Sequence, residues 1–262
     1  MPWLEANGIS IHYEVAGVGS SLVLLHEMGG TLNSWDGLFG ALSRRHRVLR
    51  YDQRGSGLSE KVRSPITTGL LVADLEATLH ATELAAPYHF ICVAAATMQA
   101  LTYMTRHADR VASFVFCNPF TGADPSRTAA LEERAALAER EGMRAAIAVT
   151  LDRSWPSDLG EAAAYASYRG RYLAHDPVCF AAMNRAIAAP NVAHLAKEIR
   201  CPTLVVAGRF DQVRPPAASE QFANTIPGAR FELIDAVHMM PAQAAAPLLR
   251  VVEDFLSANG PG

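Results

Sequence analysis

The chain has 262 residues, half of them apolar and 19% charged, with a net charge of −3. That length supports one large core or a core with a modest insertion. The near-balanced charge, without blocks of one sign, leaves no electrostatic footprint for nucleic acid or an anionic membrane surface. Cys92, Cys117, Cys179 and Cys201 are widely spaced and form no CxxC pair, and three of them lie in apolar runs, so they read as reduced. The N-terminus has no basic n-region or apolar h-region, and no apolar stretch reaches the ~18 residues of a membrane span. The expectation is a cytoplasmic protein, monomer or homodimer, that acts on a small-molecule substrate without metal or cofactor and has no nucleic-acid or membrane partner.

In chain order, residues 3–15 read as an antiparallel hairpin turned at Asn7-Gly8. Residues 21–25 form a buried strand ending at His26, and residues 47–51 another ending at Asp52. Strands follow at 88–93 and 111–117, each preceded by helical periodicity. From Pro119 to about Val192 the sequence turns rich in Ala, Glu and Arg, shows only helical period, and is bounded by Asn118-Pro119 and Ala189-Pro190-Asn191. Strands at 203–207 and 230–234 and a closing helix at 241–257 complete the set. The order predicts an α/β fold, a mostly parallel sheet flanked by helices. Residues 1–119 and 193–262 form its core, and residues 120–192 an inserted helical lid. In open parallel sheets the ligand crevice lies beyond the carboxyl ends of the strands, so the informative residues should follow the strands directly.

They do. The stretch 89–98, His-Phe-Ile-Cys-Val-Ala-Ala-Ala-Thr-Met, is a buried strand running into a helix, the setting of a GxSxG nucleophile elbow. Ala94 occupies the serine position, and Cys92 and Ala96 occupy the glycine positions. A single Ser→Ala exchange would not account for all three. An alanine methyl cannot attack a carbonyl, so no acyl-serine forms there. Asp211 follows one late strand and His238 the next, in the chain order nucleophile, acid, base. Asp211 is expected to orient the His238 ring and stabilise its protonated form, while His238 accepts a proton from the group being activated.

These motifs resemble the α/β-hydrolase fold family over nearly the whole chain. His26-Glu27-Met28-Gly29-Gly30 is similar to its HGxxG loop, and Asp52-Gln53-Arg54-Gly55-Ser56-Gly57-Leu58-Ser59 to its DxRGxGxS turn, a structural signature. Within the family the chain is most similar to the 3-oxoadipate enol-lactonase group, with Asp176-Pro177 opening the last lid helix. The YDQRG turn, the elbow alanine and the Ile199-Arg200-Cys201-Pro202 run also resemble the aminoacrylate or carbamate hydrolases of pyrimidine degradation, which likewise lack the serine. The resemblance implies an oxyanion hole from the backbone amides of Met28 and Ala95. Glu27 replaces a glycine there and is expected to turn outward into a salt bridge or to serve as a second acid or base. The bulk of Cys92 and Ala96 predicts a relaxed elbow.

Neither substitute nucleophile is favoured: the Thr97 hydroxyl should bond its own helix, and Cys92 lacks a neighbouring base. Water beside His238 is the better candidate. Glu27, Trp155, Tyr168 and Met239 are expected to contact substrate. Arg169, Arg171 and Arg185 read as solvated, with one of them free to clamp a substrate carboxylate, as the lactonase resemblance favours. Three outcomes stay open: hydrolysis of an ester-, lactone- or carbamate-like carbonyl by activated water; proton abstraction by His238 in a lyase, decarboxylase or cofactor-free oxygenase; and non-catalytic binding of a small molecule.

Overall fold

The structure is a computed structural model that describes residues 2–188 and 191–259. Eight strands, β1 Trp3–Ala6, β2 Ile9–Ala16, β3 Ser20–Leu25, β4 His46–Tyr51, β5 Tyr88–Val93, β6 Val111–Cys117, β7 Thr203–Gly208 and β8 Arg230–Ile234, form one sheet in the order β1-β2-β4-β3-β5-β6-β7-β8. β2 is antiparallel to β1 and β4, and every other pairing is parallel. The β1–β2 turn places Asn7 at φ 49° and Gly8 at φ 75°. Two successive positive φ values make the tight hairpin turn for which Asn-Gly is favoured.

The central strands are apolar on both faces because helices cover both. Leu22, Leu24, Ile91, Val93, Val115, Leu204 and Val206 point to one side, where α1 (Asp36–Leu42) and, near the C-terminus, α11 (Ala245–Asn259) cover them. Val23, Leu25, Phe90, Phe114, Phe116 and Val205 point to the other, under α2 (Thr68–Ala81), α3 (Ala96–His107) and, later in the chain, α9 (Pro216–Asn224). Alternate residues of one strand thus belong to different cores, as a period of two requires.

Between β6 and β7 the described residues form helices and no strand: α4 Pro125–Glu141, α5 Met143–Val149, α6 Leu151–Ser154, α7 Ala162–Leu173, α8 Pro177–Ala188 and a 3-10 turn at Ala193–Glu198. The boundary dipeptide Ala189-Pro190 lies outside the described residues. α4 starts where Asp124 accepts a hydrogen bond from the Arg127 amide at 2.9 Å, with Pro125 in the first turn. Side-chain cap and proline together set that helix start. The helical layer has its own core of Leu151, Trp155, Tyr168, Tyr172 and Phe180, shared with Val237 and Met239 from the loop after β8. The closing helix is split into α10 (Met240–Gln243) and α11 rather than continuous. Pro247 has no N–H to return to Gln243 and its ring would crowd that carbonyl, so the helix restarts. No helix of the described residues is long and apolar enough to cross a membrane.

Candidate active site

At the end of β5 the backbone turns sharply through Ala94 (φ 49°) into α3. The Ala94 amide donates to Cys117 O at 2.9 Å, while its carbonyl accepts from Thr97 N and Phe120 N, both at 3.1 Å. Positive φ at alanine costs on the order of 1–2 kcal/mol, and here both flanks over-determine it. The elbow is therefore not relaxed, contrary to the expectation from Cys92 and Ala96. The Cys92 side chain enters the core on the α2–α3 face of the sheet and leaves the turn undisturbed.

Neither alternative nucleophile is available. Thr97 is fully buried, and its hydroxyl has no hydrogen-bond partner, so the expected bond to its own helix is not made. Cys92 is also fully buried, and burial pushes its thiol well above the ordinary range. A nucleophile needs exposure and a base within reach.

The His238 Nδ1–H donates to Asp211 Oδ2 at 2.6 Å. The other oxygen, Oδ1, accepts from the amides of Val213 at 2.7 Å and Arg214 at 2.8 Å, which fixes the carboxylate. His238 lies on the wall of a cavity of about 170 Å³, together with Glu27, Met28, Ala94, Ala95 and Met239. With Nδ1 committed to the acid, Nε2 is the nitrogen free for proton transfer.

Asn118, at the end of β6, holds this arrangement in register. Its Nδ2 donates to Val237 O at 3.2 Å and His238 O at 3.1 Å, and its Oδ1 accepts from Gly208 N at 2.8 Å. One side chain thus ties three strand ends together from φ 47°, a conformation asparagine tolerates. Asn118→Ala would strand three buried backbone groups and is expected to destabilise the fold by about 3 kcal/mol or more. Chemical denaturation checks this, and a loss within a few tenths of a kcal/mol would contradict it.

The loop after β3 is pinned to the turn after β4. The His26 Nδ1–H donates to Glu27 O at 2.8 Å, and Gln53 donates its amide to His26 Nε2 at 3.0 Å and its Nε2 to His26 O at 2.6 Å. Asp52 accepts from Leu32 N at 2.7 Å and Leu58 N at 2.8 Å and bonds His12 at 2.8 Å, so that turn is scaffold. Gly29 has φ 77°, and a Cβ there would collide with the Tyr172 ring. Burial pushes His175 down to about 4, leaving a neutral ring whose Nε2 contacts Gly29 O at 2.9 Å and ties the helical layer to this loop. The amides of Met28 and Ala95 have no protein acceptor among the described residues, and both residues line the cavity. Such donors serve developing negative charge.

Glu27 does not turn outward. It is 1% exposed, and its Oε1 accepts from Ser34 Oγ at 2.7 Å and Tyr168 OH at 2.6 Å, while Oε2 is buried without a partner. Burial and the adjoining carboxylate push the Tyr168 phenol well up, so it remains a donor. Packing around the helical layer, rather than a surface cation, decides where this side chain lies.

Two residues expected at the substrate lie behind the wall instead. Trp155 is fully buried, its Nε1 donating to Leu159 O at 2.7 Å, and Tyr168 is spent on Glu27 and Met239. Both close the core of the helical layer, where large aromatic area is most useful. Arg169, Arg171 and Arg185 are also absent from the wall: Arg185 pairs with Glu132 and Glu139, and Arg171 bonds Ser167. The arginines on the cavity are Arg127, Arg134, Arg153 and Arg214. Two of these were legible, since Arg127, Ala130, Leu131 and Arg134 stand at i, i+3, i+4 and i+7, one face of a helix.

The family described as alpha/beta hydrolase fold matches residues 21–244. The chain is 27% identical over 240 residues to "Putative carbamate hydrolase RutD" of Azorhizobium caulinodans, covering 90% of each chain. The protein of that name in Variovorax paradoxus is 29% identical, covering 96% of this chain and 98% of the relative. Among solved structures, the enol-lactonase from Burkholderia xenovorans LB400 superposes with a TM-score of 0.91 at 30% identity, covering 98% of this chain and 100% of that one. A thermophilic esterase from Thermogutta terrifontis superposes with a TM-score of 0.94 at 22% identity over 100% of both chains, a likeness of fold.

Proposed function

Because the chain belongs to the alpha/beta hydrolase fold family, we propose that it is a cofactor-free hydrolase of a small activated carbonyl compound, with water in place of the family's serine. The observation that carries this reading is a 2.6 Å His238–Asp211 contact at the wall of a cavity whose elbow residue is Ala94.

In this reading His238 Nε2 takes a proton from water as the water oxygen bonds to the carbonyl carbon. The amides of Met28 and Ala95 receive the resulting oxyanion. Collapse restores the carbonyl and breaks the bond to the leaving group, which takes the proton from His238. The products are a carboxylic acid and the protonated leaving group, and no bond to the protein forms. Asp211 stabilises the imidazolium during this interval. The helical layer acts as a lid that limits solvent to the cavity.

Reactivity narrows the substrate. A site of this kind without its nucleophile retains about 10³–10⁴-fold acceleration over water. That suffices for enol esters, lactones with an enol leaving group and free carbamic acids, which already decompose in water, but not for simple alkyl esters. The names carried by the relatives, enol-lactonase and carbamate hydrolase, fall within this class.

The test is turnover of activated aryl and enol esters in ¹⁸O-enriched water. Hydrolysis places solvent oxygen in every acid product, and His238→Ala abolishes the reaction. Product formed without solvent oxygen would assign His238 to proton abstraction instead, and equal rates with and without His238 would remove the catalytic reading.

A further inference from the structure

Some arginines elsewhere in the molecule bond carbonyls or hydroxyls, as Arg47 and Arg171 do, and others find carboxylates: Arg54 grips Asp74, Arg50 bridges Glu14 and Asp36, and Arg63 pairs with Asp176. The four on the cavity wall do not. Arg127 donates to Val213 O at 3.3 Å and lies over the Phe120 ring, 5.2 Å from its centroid. Arg214 reaches Ala218 O at 3.4 Å, and its Nε is buried without a partner. Among the described residues, the side chains of Arg134 and Arg153 make no hydrogen bond to protein, and none of the four is in an ion pair.

They come from three separate elements: Arg127 and Arg134 from α4, Arg153 from α6, and Arg214 from the loop after β7. Arg127, Arg134 and Arg214 are half-buried, and Arg153 is exposed at the rim. Desolvation lowers the three half-buried guanidiniums from their ordinary range, so holding them together is a cost to the free protein. Asp211, behind His238, favours the charged forms of Arg127 and Arg214 but pairs with neither, its oxygens being occupied by His238 and two backbone amides. On the wall, the hydrogen-bonded oxygen of Glu27 is taken by Ser34 and Tyr168. Unpaired cations gathered around a partly open cavity are repaid when an anion arrives with the ligand, and the planar guanidinium fork suits carboxylate. A cavity of about 170 Å³ is close to the ~150 Å³ that admits benzene, so the ligand is compact.

We infer that the cavity takes a small acyl compound bearing two or more carboxylate groups besides the carbonyl that reacts. Those groups lie against Arg127, Arg134 and Arg214, and Arg153 meets them at the rim. The placement of the reacting carbonyl at Met28, Ala95 and His238 rests on the hydrolytic reading, whereas anion binding does not.

Calorimetric titration of the full chain separates the two. Succinate should bind at least about tenfold more tightly than acetate, and succinamide should give no measurable binding. Affinity should fall as sodium chloride rises from about 50 to about 200 mM, since mobile ions screen the wall. The double variant Arg127→Gln/Arg134→Gln should lose about tenfold or more, while Arg171→Gln, away from the wall, binds succinate as the native chain does. Removing unpaired like charges should leave the Tm unchanged or raised; Arg214→Gln, read the same way, carries the test if the double variant does not fold. Succinamide binding as well as succinate, or arginine variants that bind unchanged, would overturn the inference. Inorganic phosphate binding more tightly than succinate would overturn the assignment to carboxylates. None of these readouts depends on turnover, so hydrolysis can fail while the anion site stands, and the reverse.

Discussion

His238→Ala is expected to lower kcat/KM for an activated ester by about three orders of magnitude, with only a small change in KM. General acid–base catalysis by a positioned side chain contributes about 10²–10⁴-fold, and in the proposed reaction one imidazole performs both transfers. On that proposal it deprotonates the water and then protonates the leaving group, and among the described residues no other histidine lines the cavity. The oxyanion donors are backbone amides and survive the exchange, so a residual rate above buffer remains. Asp211→Asn should approach the same loss, because an amide facing Nδ1 no longer favours the imidazolium or enforces one tautomer. Steady-state kinetics beside thermal denaturation checks both variants. A fall of less than about tenfold in a folded His238→Ala protein would take the imidazole out of the mechanism.

Ala94→Ser is expected to raise the hydrolysis of simple aryl esters by on the order of 10² or more and to introduce a burst of leaving group. The reason lies in the backbone. Ala94 already holds φ 49° with its amide bonded to Cys117 O, so the strain of an elbow is present before any hydroxyl is supplied. Position 94 and His238 line the same cavity. A serine there meets a ready base and a ready pair of oxyanion donors, and a nucleophile in such a setting accounts for as much as ~10⁶ in turnover. The expected gain is set well below that figure because Cys92 and Ala96 have replaced the glycines that let the turn approach substrate closely. Unchanged aryl-ester hydrolysis without a burst would mean that the imidazole is not aimed at position 94.

The sheet was legible because its strands are short apolar runs closed by Gly, Pro, Asp or His, and burial on both faces writes a continuous hydrophobic signal. The two ends of the dyad were legible for a topological reason, since both follow strands on the edge where a parallel sheet presents its crevice. Glu27 was harder. From sequence a carboxylate beside a glycine pair suggests a surface ion pair, but the partners that draw it inward, Ser34 and Tyr168, stand 7 and 141 residues away. Trp155 and Tyr168 illustrate the matching difficulty for the helical layer: an aromatic residue on an amphipathic helix reads the same whether it faces a ligand or the layer's own core. The arginines divide in the same way. Arg185 and Arg134 both sit on Ala-rich helices, and only the packing of α4 against α8 sends one to Glu132 and Glu139 and the other to the cavity. Asn118 was visible as a residue but not as a tie between three strand ends, because its partners Gly208, Val237 and His238 lie far along the chain.

The claim on which the rest depends is that catalysis proceeds without a covalent bond to the protein. Intact-protein mass spectrometry during turnover of an activated ester measures this directly. The native chain should keep its unmodified mass at every time point, while Ala94→Ser should accumulate the mass of one acyl group. An acyl adduct on the native chain that forms and decays at the rate of turnover would contradict the account.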